Sequence, residues 1–235
     1  MASPVLFIAF IGGLLPSLLW LLFWLLEDRC EPEPKKYLFI TFLVGMLAVV
    51  LVLPFEKLAC FYLIQGMCPS HPPPSVLLAW AILEEFFKIG AAIVALRSRA
   101  LDEPLDAIMY MVTAALGFAA MENALFLLGP LQTGSLSVTI VTGDLRFIGA
   151  TLLHILASAT VGLAMALSFY RSALARRWYF AGGVILAVAL HTTFNFLILT
   201  GGVGVMFSAF VFIWAGIIAI LFLTEKVKRP ARDYC

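Results

Sequence analysis

The residues best suited to chemistry in this chain lie inside apolar segments. Glu84, Glu85 and Lys88 fall within a stretch from Ser75 to Leu96 that is otherwise apolar and long enough to cross a bilayer. An ionisable side chain near the membrane centre costs about 2.5 to 3.5 kcal/mol on insertion scales. These groups therefore need partners or water inside the protein, and carboxylates in such surroundings are candidates for proton transfer in catalysis.

Three further polar residues lie in three other apolar segments: Glu122, His154 and His191. When residues are counted along each segment at 1.5 Å per residue, these three and Glu84 all fall about 10 to 14 Å below the outer surface. Unrelated solitary polar residues would have no reason to share one depth. The agreement predicts that the four groups meet in one site.

The elements that must position these groups are membrane spans. Of 235 residues 63% are hydrophobic and 12% are charged, whereas a soluble domain carries about 25% charge. Apolar segments of about the length needed to cross a bilayer lie at 4–26, 37–53, 75–96, 105–128, 146–170, 178–200 and 203–223. We predict an all-α polytopic membrane protein with about seven transmembrane helices. An alternative end for the second segment is Ile64, with a bend at Pro54.

The chain shows no soluble domain, low-complexity linker or internal repeat, so we expect a single integral membrane domain over residues 1–235 with a motif-bearing core at about 75–200. The net charge of +1 argues against nucleic acid as a partner, because no basic surface could neutralise a run of phosphates. The first segment lacks a basic leading region and a cleavage site, which favours a retained span over a removed signal peptide.

Basic residues predict the orientation of the spans. Of the 15 lysines and arginines, Lys57 and Arg146 fall in connectors on one side, Lys88 lies within a span, and the others fall on the opposite side. Because positive charge accumulates in the cytoplasm, we predict an outer N-terminus and a cytoplasmic C-terminus. Cys60 and Cys68 then share the outer connector, where they form either a disulfide or two free thiols.

Helical spacing suggests how the polar groups work together. Lys88 lies four residues from Glu84 and three from Glu85, so it can serve as the charge partner of either carboxylate. Glu84 and Glu85 point about 100° apart around the helix, so only one of them can face a site squarely, and the spacing does not say which. Asn195 lies one turn from His191 on the same face. The simpler alternative for each histidine is a structural interhelical hydrogen bond.

Four short motifs occur in order: Glu84-Glu85-Phe86-Phe87-Lys88 (EExxK), Phe118 to Glu122 (FxxxE), His154-xxx-Ser158 and His191-xxx-Asn195. This pattern resembles the PrsW family of intramembrane proteases, which is related to the type II CAAX prenyl proteases. The resemblance implies a peptidase of the cell membrane, bacterial or archaeal, that cuts membrane-anchored protein substrates. Some family members make the first extracytoplasmic cut in an anti-sigma factor, so a single-span anti-sigma factor is a candidate substrate.

The resemblance also implies roles for the residues. In the related prenyl proteases a glutamate pair and a histidine activate water, and a histidine with an asparagine supports the oxyanion. Carried over, Glu84 or Glu85 is the general base, and His191 with Asn195 occupies the fourth motif. The prenyl proteases have a histidine in the second motif where this chain has Glu122, which weakens a direct transfer of mechanism.

Two mechanisms fit the residue types. In the first, Glu122, His154 and His191 bind a zinc ion that lowers the pKa of its water to about 7, and Glu84 takes the proton. In the second no metal is present, and a buried glutamate acts as acid or base with help from a histidine. The residue types favour zinc, and Asn195 suits donation to the oxyanion in both cases.

A different class of function also fits buried carboxylates, a lysine and histidines at one depth. A proton- or ion-coupled transporter would use such groups, and a two-histidine haem site is a weaker possibility. Transporters commonly show repeated or interrupted helices, and neither is evident in this sequence. The pattern therefore favours the peptidase.

Overall fold

The protein is described here from a computed structural model at residues 2–27, 32–69, 71–98 and 100–227, and this part of the chain is helical without a strand. The helices are α1 (Ala2–Glu27), α2 (Lys35–Ile64), α3 (Pro74–Leu96), α4 (Pro104–Gln132), α5 (Leu136–Leu145), α6 (Thr151–Leu167), α7 (Ala173–Thr200) and α8 (Val203–Val227), with a π-helical turn at Arg146–Ala150 between α5 and α6. The all-α prediction is confirmed.

Six helices of the described chain are long and apolar enough to cross a membrane. They are α1, α2, α4, the continuous helix Leu136–Leu167, α7 and α8. Helix α3 has 23 residues and is long enough to span, but Glu84, Glu85 and Lys88 set it apart from the other six. The protein is thus a multi-pass membrane protein, and the direction in which its helices cross stays a prediction.

Two predicted boundaries differ from the structure by ten residues or more. Helix α2 does not stop at residue 53 but runs through Pro54 to Ile64, as the alternative end proposed. The predicted segment 146–170 begins ten residues too late, because the helix starts at Leu136 just after Gly134, whose φ of +72° marks the turn that follows α4. Arg146, which was assigned to a connector, therefore lies inside a long helix.

Helix α4 forms the centre of the bundle and packs against α1, α2 and α6. Every residue from Pro104 to Ala120 is buried. Small residues allow this, since a Cβ at Gly117 would collide with the carbonyl oxygen of Phe42 in α2, and one at Gly162 in α6 would lie 2.6 Å from the Cα of Ile108. Direct backbone contacts therefore fix the position of α4 relative to α2 and α6.

The loop that follows α2 is closed by a disulfide. Cys60 near the end of α2 is bonded to Cys68, with Cα atoms 5.7 Å apart. The disulfide alternative is therefore confirmed. The bond holds the segment with Pro69 and Pro72 beside the cavity that contains the polar groups.

Candidate active site

Five of the predicted polar groups line one cavity of about 530 Å³ between α2, α3, α4, the π-helical turn, α6, α7 and α8. Glu84, Glu122, His154, His191 and Asn195 all contribute to its wall. Four separate helices bring these side chains together, as the common depth predicted. Aromatic rings, including Trp80, Phe118 and Phe126, supply much of the remaining lining, so the polar groups converge in an otherwise apolar pocket.

The two adjacent glutamates have different surroundings. Glu84 faces the cavity, and its Oε2 is buried without a hydrogen-bond partner among the described residues. Glu85 lies behind the cavity wall and is completely inaccessible to solvent. Its Oε1 lies 2.7 Å from Lys88 Nζ and 2.7 Å from His191 Nδ1. Glu84 is therefore the carboxylate available to water or substrate, whereas Glu85 contacts Lys88 and His191.

Glu85 determines how His191 is oriented. A carboxylate only accepts hydrogen bonds, so His191 Nδ1 donates its proton to Glu85. Nε2, on the other side of the ring, lies 3.7 Å from Glu84 Oε2, and it presents a lone pair whenever the ring is neutral. A carboxylate behind a histidine in this way is the common support for a metal-ligating or proton-accepting imidazole.

Lys88 contacts three of the site residues. Its Nζ lies 2.7 Å from Glu85 Oε1, 2.7 Å from His154 Nδ1 and 3.7 Å from Glu84 Oε2. An ammonium ion only donates, so Nδ1 of His154 accepts and its Nε2 carries the proton that is donated to Glu122 Oε2 at 2.9 Å. Lys88 is thus the predicted charge partner of Glu85, and it also fixes the tautomer of His154.

Glu122 is bound on two sides. Its Oε2 forms an ion pair with Arg146 as well as the contact with His154. Arg146 also donates from Nε to Asn123 Oδ1 at 2.6 Å, and its guanidinium lies 3.9 Å from the ring centroid of Phe126. Three partners, Glu122, Asn123 and Phe126, hold the arginine, which in turn fixes the position of Glu122.

Sequence reasoning missed two charged residues of the cavity, Arg146 and Glu56. Both were assigned to outer connectors because the helices that carry them were predicted too short. The apolar run from Leu136 onward would have placed Arg146 inside a span. The extension of α2 to Ile64 would likewise have placed Glu56 on a membrane helix.

The residues present fit a metal ion. Among the described residues Glu84, His154 and His191 offer ligand atoms that all lie within 4.8 Å of one another. One carboxylate and two histidines are a common catalytic zinc set, and the unpartnered Oε2 of Glu84 points into the same space. Glu122, predicted as the carboxylate ligand, lies beside this group at 2.9 Å from His154 Nε2. Either nitrogen of His154 could serve as a ligand once it gives up its contact with Lys88 or Glu122.

Comparisons with known proteins agree with this architecture. The family described as "PrsW family intramembrane metalloprotease" matches residues 33–221. Protease PrsW of Geobacillus kaustophilus is 29% identical over 192 residues, which cover 80% of this chain and 78% of that protein. Protease PrsW of Clostridioides difficile is 28% identical, covering 81% and 79%, and that of Bacillus subtilis is 24% identical, covering 86% and 89%. No solved structure matches.

The fold and the family match together define a multi-pass membrane protease, which acts on membrane protein substrates. The resemblance seen in the four motifs is confirmed over most of the chain. The chain belongs to the PrsW family of intramembrane metalloproteases. The comparisons give the transporter alternative no support.

Proposed function

We propose that this membrane protease hydrolyses a peptide bond in the outer half of the bilayer with a water molecule activated at Glu84. The observation that carries the proposal is the buried Oε2 of Glu84, which faces the cavity and accepts no hydrogen bond from the described residues. Lys88 Nζ and His191 Nε2 each lie 3.7 Å from it. A carboxylate oxygen with no donor of its own is free to accept the proton of a water molecule. Glu122 suits that task less well, because its Oε2 already accepts hydrogen bonds from Arg146 and His154.

We propose that the metal of this site is zinc, held by His154 and His191 together with a carboxylate. The third ligand is Glu122 or Glu84, and the glutamate that does not ligate accepts the proton of the water. When bound, zinc would lower the pKa of water to about 7 and polarise the scissile carbonyl. Glu122 Oε2 is hydrogen-bonded to Arg146, whereas Glu84 Oε2 accepts no hydrogen bond from the described residues, which favours Glu84 as the proton acceptor.

The remaining polar groups orient His191, offset charge and stabilise the oxyanion. Glu85 holds His191 through Nδ1, and Lys88 offsets the charge of the glutamate pair. Asn195 lines the cavity one turn from His191, where its amide can donate to the oxyanion of the tetrahedral intermediate. A donor in that position contributes about 3 to 4 kcal/mol to the transition state.

The proposed substrate is a membrane-anchored, single-span protein that is cut on the extracytoplasmic side of the cell membrane. Two observations support this side. The Cys60–Cys68 disulfide, which requires an oxidising compartment, lies in the loop whose prolines 69 and 72 line the cavity. The basic residues concentrate at the opposite ends of the helices. An anti-sigma factor, known as a substrate from the family resemblance, fits this description.

Metal analysis of purified variants tests the assignment. We expect about one zinc per wild-type chain, loss of zinc in His191→Ala, and retention of zinc with loss of proteolysis in Glu84→Gln. Glu122→Gln should lose zinc if Glu122 is the third ligand. Wild-type protein that is fully active after zinc has been removed would contradict the zinc assignment but leave Glu84 as the base.

A further inference from the structure

A second cavity lies on the membrane-facing side of the bundle. It has a volume of about 520 Å³ and lies between α5 with the π-helical turn on one side and α8 on the other. The α8 wall consists of exposed apolar side chains, among them Phe207, Val211 and Ile218. Helix α5 contributes no buried residue at all, so this groove, which we call the α5–α8 groove, is open along one side.

The α5–α8 groove adjoins the active-site cavity. Leu145 and Phe210 line both spaces. Phe210 lies directly on the π-helical turn, since a Cβ at Gly149 would be 2.7 Å from its Cε1 atom. Leu145 immediately precedes Arg146, the ion-pair partner of Glu122. Two apolar side chains therefore separate the groove from the carboxylates.

The length of the groove matches half of a membrane-spanning helix. Its α8 wall runs from Phe207 to Ile218, which corresponds to about 16 Å at 1.5 Å per residue. This is half the thickness of a hydrocarbon core of about 30 Å. The groove is therefore long enough for an apolar helical segment such as the outer half of a substrate's transmembrane helix.

The charge in the groove points to the same kind of occupant. Asp144 is exposed at the end nearest Arg146, and it forms no ion pair with any cation of the described chain. Arg146 is already engaged by Glu122 and Asn123. A carboxylate on a membrane-facing wall is best compensated by a cation from the occupant. An acyl chain carries no cation, whereas an apolar helix flanked by lysine or arginine does.

We infer that the α5–α8 groove binds the transmembrane helix of the substrate, an apolar helix with a basic residue at its outer end, and that Phe210 and Leu145 separate this docking site from the catalytic cavity. The inference rests on the proposed function and adds the route by which the substrate reaches Glu84. The bound helix would have to displace the Phe210 ring before its backbone enters the cavity.

Site-specific photo-crosslinking tests the docking site. A benzoylphenylalanine replaces Ala215, which lines the groove, or Ala219, an exposed alanine one turn further along α8 that does not. Both proteins carry Glu84→Gln and are reconstituted in lipid nanodiscs with a leucine–alanine peptide of about 21 residues ending in an outer lysine. Val211, which lines the groove, and its exposed neighbour Phe212, which does not, form a second matched pair.

We expect at least fivefold more peptide crosslinked from position 215 than from 219, and the same preference for 211 over 212. Replacing the lysine of the peptide by glutamate should lower the yield at least threefold, and Asp144→Asn should remove that difference. Equal yields within both pairs, or crosslinks only to lipid or to a second copy of the chain, would overturn the inference. Because crosslinking uses the Glu84→Gln protein, this outcome is independent of proteolysis, whose absence in the wild-type protein would instead count against the proposed function.

Discussion

The buried ion pair of Lys88 and Glu85 allows a quantitative test of how the site is stabilised. Lys88 is completely buried, with its Nζ 2.7 Å from Glu85 Oε1. At that separation the attraction is about 6 kcal/mol for an effective dielectric constant of about 20. Desolvation of both ions offsets much of it, so the pair itself contributes little. Removal of one partner is different, since it leaves a buried charge uncompensated and costs about 3 to 5 kcal/mol.

Lys88→Met removes the ammonium and retains most of the side-chain volume. We expect thermal unfolding in mild detergent, followed by tryptophan fluorescence, to occur about 6 to 20 °C lower, because 1 kcal/mol shifts Tm by about 2 to 4 °C for a chain of this size. The double variant Lys88→Met/Glu85→Gln should recover at least half of that loss, since neither charge remains.

The exposed Lys57 provides the control for these variants, because Lys57→Met removes a lysine that forms no ion pair with a buried group of the described chain. It should change stability by no more than about 0.5 kcal/mol. The reasoning would be refuted if Lys88→Met melts within 2 °C of the wild-type protein. It would also be refuted if the losses of the two single variants simply add in the double variant.

Three further predictions concern other parts of the molecule. Gly117→Ala should destabilise the protein by about 1 to 3 kcal/mol, because α2 and α4 must move apart. Gly182→Ala should not, because no atom of the described chain outside its own helix backbone lies within 4 Å of the new Cβ. The unfolding midpoints of the two variants test this difference. Reduction of the Cys60–Cys68 disulfide should lower stability by about 2 to 3 kcal/mol, the cost expected for opening so short a loop, and an unchanged Tm with reductant would contradict this. Asn195→Ala should lower kcat by about 100-fold to 1000-fold with little change in KM if its amide donates to the oxyanion, and a change confined to KM would indicate a role in substrate binding.

The sequence allowed the membrane architecture and the meeting of the polar groups to be predicted. Apolar length located the spans, and depth counting placed Glu84, Glu122, His154 and His191 level with one another. Both inferences depend only on local properties, the composition of a segment and the rise of a helix. The exceptions were Arg146 and Glu56, because a charge near the end of a span looks like the start of a connector.

The contacts within the site depend on how helices are rotated against each other, which no single segment encodes. The choice between Glu84 and Glu85 follows from the packing of α3 against α2, α4 and α7. The contact of Lys88 with His154 joins residues 66 positions apart, and its spacing along the chain carries no signal. Tertiary packing therefore decided which carboxylate faces the cavity and which tautomer His154 adopts.

The central claim is that Glu84 activates the water that cleaves a membrane-embedded peptide. The most direct test is mass spectrometry of products formed from single-span peptides by wild-type protein and by Glu84→Gln of equal thermal stability. We predict wild-type cuts within about 14 Å of the outer end of the peptide helix, the depth counted for Glu84, and at least about 100-fold slower cleavage by Glu84→Gln, the loss expected for removal of a general base. Cleavage by Glu84→Gln at the wild-type rate would contradict the assignment.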